Sequence, residues 1–130
     1  MKQFKKLGML AILIGVASLF SGCLMYSFSK AATITIYVED PGGNPVADEI
    51  VYMFSAASYS RSSAKSDAYQ NLATNSKGSV EFSIKEIEML YQDEASFVFV
   101  TYKGDQENGR ASVTVKRHGH SSNTIHNSSY

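Results

Sequence analysis

An all-β sandwich of about seven antiparallel strands with one short helix is predicted by three observations. Apolar and polar residues alternate in short runs, first over Thr33–Val38 and again over Ser79–Ile84, and a two-residue period turns one face of a strand to a core and the other to water. Turn clusters punctuate these runs, chiefly Asp40-Pro41-Gly42-Gly43-Asn44-Pro45 and Asn75-Ser76-Lys77-Gly78. Proline presets φ and glycine tolerates positive φ, so such clusters join neighbouring strands tightly. Finally, the chain shows no internal repeat and no coiled-coil period.

Taken in order, the first strand carries Ile34, Ile36 and Val38 on one face and Thr33, Thr35 and Tyr37 on the other. A second spans roughly Glu49 to Phe54 and is rich in β-branched and aromatic residues. Both of its faces are apolar, so periodicity leaves its core side open. Residues 55–71 hold six serines, Tyr59, Tyr69, Arg61 and Lys65 without an apolar period, which predicts a long exposed loop with room for a short edge strand. Leu72–Thr74 suits a brief pairing, and Val80, Phe82 and Ile84 then alternate against Ser79, Glu81 and Ser83.

Ser83 and Glu86 have the spacing of a capping box, and Ile84, Ile87 and Leu90 or Tyr91 fall on one helical face. That spacing predicts a helix of about two turns. Phe97–Tyr102 is apolar on both faces, as a central strand should be. A polar connection over Lys103–Gly109 leads to a last strand marked by Val113 and Val115. The Ser- and Asn-rich residues beyond it predict a frayed tail.

Lys2, Lys5 and Lys6 precede an apolar run of 14 residues, Leu7 to Phe20, followed by Ser21, Gly22 and the single cysteine, Cys23. The run is shorter than the roughly 20 residues that a spanning helix needs. This arrangement resembles the lipobox of bacterial lipoproteins, although phenylalanine stands where an aliphatic residue is usual. The resemblance implies diacylglycerol transfer to the Cys23 thiol, cleavage before it, and an extracytoplasmic domain held on the bacterial envelope by its acyl chains. It divides the chain into a signal peptide (1–22), acylated cysteine and tether (23–32), sandwich (33–117) and flexible tail (118–130). Removing three of the twelve basic side chains leaves nine against twelve acidic ones, a net charge of −3, which argues against nucleic acid as a partner. No second cysteine exists to form a disulfide within the chain, so packing must hold the domain.

The order strand, Asp-Pro-Gly-Gly-Asn-Pro-Val, strand, then Ala73-Thr74-Asn75-Ser76-Lys77-Gly78-Ser79-Val80-Glu81-Phe82 and Val113-Thr114-Val115 resembles the prealbumin-like (transthyretin-like) Greek-key sandwich. That group includes carboxypeptidase regulatory-like domains and the B-type repeats of surface adhesins. The likeness covers about residues 33–117 and implies fold far more than function. Asp48-Glu49 departs from the small residues usual there, which leaves the strand register around it open. The chain ends Asn127-Ser128-Ser129-Tyr130 and lacks the Tyr-Arg-Gly-Ser ending of the hydroxyisourate hydrolases. The expected first strand, Thr33–Val38, also lacks the lysine that an adhesin-type isopeptide bond requires.

No Gly-x-Ser-x-Gly elbow or His-Glu-x-x-His is present, and no enzyme activity or cofactor is expected. Glu39, Asp40 and Asp48 surround the Pro-Gly turn and read as local capping rather than the six or more oxygens of a calcium site. Tyr59, Arg61 and Tyr69 form the candidate binding loop, since tyrosines offer rigid amphipathic area and serines adaptable hydrogen bonds. His118, His120 and His126 form a weaker candidate metal set, with two imidazoles on one side of a continuing strand and the third looping back. The expectation is therefore an envelope lipoprotein, bound to the lipid bilayer through Cys23, acting as a non-catalytic binding or structural module for an envelope protein or glycan. The alternative is a ligand or metal carrier using the terminal histidines.

Overall fold

The structure is a computed structural model and describes residues 26–130. The assigned signal peptide and Cys23 lie outside those residues. Seven strands follow: β1 Lys30–Glu39, β2 Ile50–Ser55, β3 Gln70–Ala73, β4 Ser79–Lys85, β5 Glu94–Lys103, β6 Gln106–Lys116 and β7 His120–His126. They form a three-stranded sheet, β4-β1-β7, and a four-stranded sheet, β3-β2-β5-β6. The all-β, two-sheet architecture expected from the period-two runs is the one the chain adopts.

Every pairing is antiparallel except β1 with β7, which is parallel. The sandwich is antiparallel, as expected, apart from this one pair. Each connection reverses the chain, and six reversals return β7 to the direction of β1.

Between the sheets, Ile34, Ile36 and Val38 of β1 and Phe82 and Ile84 of β4 face Val51, Met53, Phe97, Phe99, Val113 and Val115, all of them buried. The rings of Phe82 and Phe99 meet across the interface at 5.0 Å. Val51 and Met53 are thus the inward face of β2, and Tyr52 and Phe54 the outward one.

Several boundaries differ from expectation; the connection expected over Lys103–Gly109, for one, shortens to Gly104-Asp105, because Gln106, Glu107 and Gly109 pair with β5. β1 begins at Lys30 and buries Ala31 and Ala32, which had been assigned to the tether. Their backbone finds partners in the turn between β6 and β7, where His118 N–H donates to the Ala31 carbonyl at 2.6 Å and Thr33 N–H to that of Gly119 at 3.1 Å.

The helix expected near Ser83–Tyr91 does not form. Ser83 stays in β4, the pleat commits Ile84 to the core, and residues 86–91 are successive turns in which Leu90 and Tyr91 hold φ of 54° and 58°. Those values belong to the left-handed region, which a right-handed helix cannot contain. Glu88 rather than Glu86 receives a turn N–H, from Lys85 at 2.8 Å. A short 3-10 turn forms instead at Lys65–Asp67.

The tail expected to fray is β7. Its Ile125 pairs with Val38 and is fully buried. Ser121 Oγ and Asn123 Nδ2 donate to the carbonyls of Thr114 and Ser112 at 2.9 and 3.0 Å. One polar strand therefore covers the exposed edge of β1 with its backbone and that of β6 with its side chains, and open edges otherwise invite unwanted pairing.

Candidate functional site

β1 gives the sandwich two ends. At about 3.3 Å per residue its ten residues span roughly 30 Å, from Lys30, beside the segment that follows Cys23, to Glu39 at the distal end. The connections at 40–49, 74–78 and 104–105 and the last residues, 127–130, gather at that distal end.

The serine-rich loop is largely exposed, as expected, and packs through Tyr59 and Ala68 on the outer face of the four-stranded sheet. Tyr59 packs its ring 5.0 Å from Phe54 and, with Ala68, Tyr52 and Tyr102, covers Phe54, Val98 and Val100 in a second small core. The Tyr59 hydroxyl donates to Glu107. Burial first, and then this carboxylate, push the Tyr59 pKa well above the ordinary phenol value; burial also raises that of Tyr102, followed by Glu107 and Tyr52. The Tyr59 phenol is therefore held neutral as the donor to Glu107.

Lys65, at the start of the 3-10 turn, reaches over two tyrosine rings. Its Nζ stands 5.1 Å from the Tyr102 ring centroid and 5.9 Å from that of Tyr52, rings that meet edge to face at 5.2 Å. It donates to the Gly104 carbonyl at 2.7 Å and lies 3.8 Å from the Asp105 carboxylate. A loop with little apolar content is held down by a cation over aromatic faces.

Of the expected loop residues, Tyr59 is thus a packing anchor. Arg61 stands exposed. Tyr69 is 42% exposed and leads into edge strand β3, its N–H donating to the Met53 carbonyl at 2.7 Å. Tyr59 thus turns to the sheet, while Arg61 and Tyr69 face solvent.

Two adjoining clefts make the distal end concave. One, of about 380 Å³, runs between Asp40, Val46, Glu49, Tyr102, Lys103 and Tyr130. The other, of about 300 Å³, shares Glu49 and Tyr102 with it and adds Tyr52 and Lys65. The floor is built by asparagines. Asn108 donates to the Ser129 carbonyl at 3.1 Å and accepts from its N–H and hydroxyl at 3.0 and 2.9 Å. Asn127 accepts from Thr101 Oγ1 at 2.6 Å and donates to Glu49 at 3.4 Å. Lys103 Nζ donates to the Tyr130 carbonyl at 2.9 Å.

Tyrosine faces, carboxylates and ammonium groups around a polar floor suit a ligand rich in hydroxyl or amide groups. Tyr52, Lys65, Tyr102 and Tyr130 escape sequence reasoning, because the loop and the chain's end meet there only through tertiary packing. The outward alternation of Tyr52 in β2 is the one local signal.

Of the candidate metal set, His118 lies in the turn before β7 and lines one cleft with His120, while His126 stands near the far end of the strand. His120 pairs with Thr33 and His126 with Glu39, a separation of roughly 20 Å at strand rise. The expectation that His126 loops back to the other two is corrected, because β7 is extended. His120 already faces Thr33 Oγ1 through Nδ1 at 2.8 Å and Thr35 Oγ1 through Nε2 at 3.4 Å. His126 Nδ1 lies 3.3 Å from the Glu39 carboxylate. Among the described residues no three metal-ligating side chains converge. Asp40 caps its own turn, accepting the N–H groups of Gly42 and Asn44 at 2.9 Å.

No family model matches the chain, and neither does any curated protein. Among solved structures, it is similar to the Bacillus anthracis TIE protein at 10% identity and a TM-score of 0.44, over 76% of this chain but only 17% of that one. It is also similar, at 12% identity and a TM-score of 0.35 over 74% of this chain and 98% of the other, to the Caf1A usher C-terminal domain, whose surface hydrophobic clusters are described as important for F1 antigen assembly.

Proposed function

We propose that this chain is a bacterial envelope lipoprotein whose sandwich serves as a non-catalytic binding or structural accessory module, anchored through acylated Cys23 and offering its distal clefts to an envelope protein or glycan. The observation that carries this reading is the polarity of β1. Its first residue follows the candidate lipidation site by seven positions, and its last lies beside the clefts lined by Tyr102, Lys103 and Tyr130. Such a layout holds a concave polar surface roughly 30 Å from the anchored end.

The reading is tested by retention of the full chain on isolated envelope glycan and on immobilised envelope protein extract. A combined Lys103→Ala and Tyr130→Ala change is expected to abolish retention on whichever fraction holds the wild type, while circular dichroism stays native. Equal retention of the variant, or none by the wild type on either fraction, overturns it.

A further inference from the structure

The end of the sandwich nearest Cys23 carries an apolar collar. Residues 26–29 pack on the turns at 86–91, with the N–H groups of Glu86 and Ile87 donating to the carbonyls of Ser29 and Ser27 at 3.0 and 3.1 Å. The rings of Tyr26 and Tyr91 stack at 6.2 Å, and the Ser27 hydroxyl meets that of Tyr91 at 2.6 Å. Lys85 Nζ stands 5.8 Å over the ring of Phe28.

This welded unit leaves Tyr26, Phe28, Ile87, Leu90 and Tyr91 between 43% and 61% exposed. They are half of the large hydrophobic side chains that stand exposed among the described residues, so exposure here is a feature of one end. Leu90 and Tyr91 keep positive φ, a costly conformation for side chains that gain no burial from it.

We propose that the collar rests in the interfacial layer of the lipid bilayer, an inference that depends on acylation of Cys23. Only Leu24 and Met25 separate Cys23 from Tyr26, and three fully extended residue steps reach about 11 Å at most. An acyl chain in the bilayer therefore confines the exposed rings to the headgroup region or its immediate edge. Tyrosine and phenylalanine beside lysine stems suit that layer, since the ring or stem lies against acyl chains while the polar tip stays wet.

Charge at this end supplies no lipid preference. Lys30, Lys85, Lys116 and Arg117 at this end are balanced by Glu86, Glu88, Asp93 and Glu94, so docking requires apolar contact and not anionic lipid. A docked collar also fixes the orientation of the sandwich, with β1 leading away from the membrane.

The chain contains no tryptophan, so a single introduced indole reports alone. Full-length Phe28→Trp, Leu90→Trp and Tyr130→Trp proteins are made in a bacterial host fed labelled palmitate. They are then reconstituted into phosphatidylcholine vesicles whose acyl chains are brominated near the headgroup. The expected result is a blue shift and loss of emission for Phe28→Trp and Leu90→Trp, unchanged by added phosphatidylglycerol, and full emission for the distal Tyr130→Trp.

Palmitate-labelled Phe28→Trp protein with unquenched emission overturns the collar while leaving the anchor intact. Emission that is blue-shifted yet unquenched overturns it as well, because the chain itself or a second copy then covers the patch. Quenching that appears only with phosphatidylglycerol overturns the apolar mode of docking. Absence of palmitate from all three proteins overturns the anchoring, and the collar with it.

Discussion

The Cγ2 methyl of Ile125 closes over Gly109, where an added Cβ would stand only 2.5 Å from it and 2.9 Å from Asn127 Oδ1. β7 therefore seats its one core side chain against bare backbone of β6, and the two sheets close at this edge because position 109 has no side chain. Gly109→Ala is expected to cost about 1–3 kcal/mol by overpacking, and Ile125→Ala about 2–5 kcal/mol by leaving a cavity. Deleting residues 118–130 should lower the thermal midpoint by more than either, since it also bares the edges of β1 and β6. Denaturant and thermal midpoints check all three, and a deletion as stable as the wild type would contradict the role assigned to β7.

Phe82 tests the inter-sheet core. It is fully buried against Phe99, so Phe82→Ala should cost about 3–5 kcal/mol, a large part of the roughly 5–15 kcal/mol available to such a domain. Tyr37, on the opposite face of the same sheet, is 46% exposed. Its change to alanine should cost far less, and the reverse order of midpoints would mean that the faces are misassigned.

The Tyr59–Glu107 hydrogen bond predicts a pH dependence. Burial and the Glu107 carboxylate raise the Tyr59 pKa in the folded state, while the unfolded chain titrates near the ordinary value of about 10. The contribution of this bond is thus fully present below pH ~10 and declines above it, where the unfolded state releases the proton first. Tyr59→Phe should lower stability at neutral pH and flatten the alkaline limb of the stability curve; Tyr102, raised in the same direction, retains part of that limb. An unchanged alkaline slope in Tyr59→Phe would dissociate the loop from the titration.

Cys23→Ser is expected to abolish palmitate incorporation and to leave either an unprocessed precursor or a released form, read by labelling and fractionation. Incorporation equal to wild type would end the lipoprotein reading.

Zinc titration of the full chain should show no site tighter than roughly micromolar, about 8 kcal/mol, because β7 carries His126 far from His118 and His120. A stoichiometric site lost in His120→Ala would restore the carrier alternative.

Strands whose apolar residues repeat every second position were legible in the chain itself. Ile34, Ile36 and Val38, and again Val80, Phe82 and Ile84, declare both the element and its buried face, because the pleat converts sequence parity directly into side. The turn at Asp40–Pro45 was equally local, with proline, glycine and an aspartate that caps its own backbone. β7 was not legible. Its residues His-Ser-Ser-Asn-Thr-Ile-His contain a single core contact, and its stability lies in a parallel ladder with a strand more than 80 positions earlier.

The helix misread over Ser83–Tyr91 has the same origin. Ile84, Ile87 and Leu90 satisfy a helical period, but the core claims Ile84 through β4, and Arg117 from a distant turn pairs with the buried carboxylate of Glu86. For the candidate site, the sequence by itself determined that tyrosines and serines populate the loop before β3, and that a segment resembling a lipobox precedes the domain. Only the tertiary structure decided that Tyr59 anchors the loop, that Lys65 meets Tyr52 and Tyr102, and that the chain's last residues complete the distal clefts. Those contacts join segments remote in sequence, whose pairing follows from sheet order and the direction of each strand, neither of which any local pattern of residues encodes.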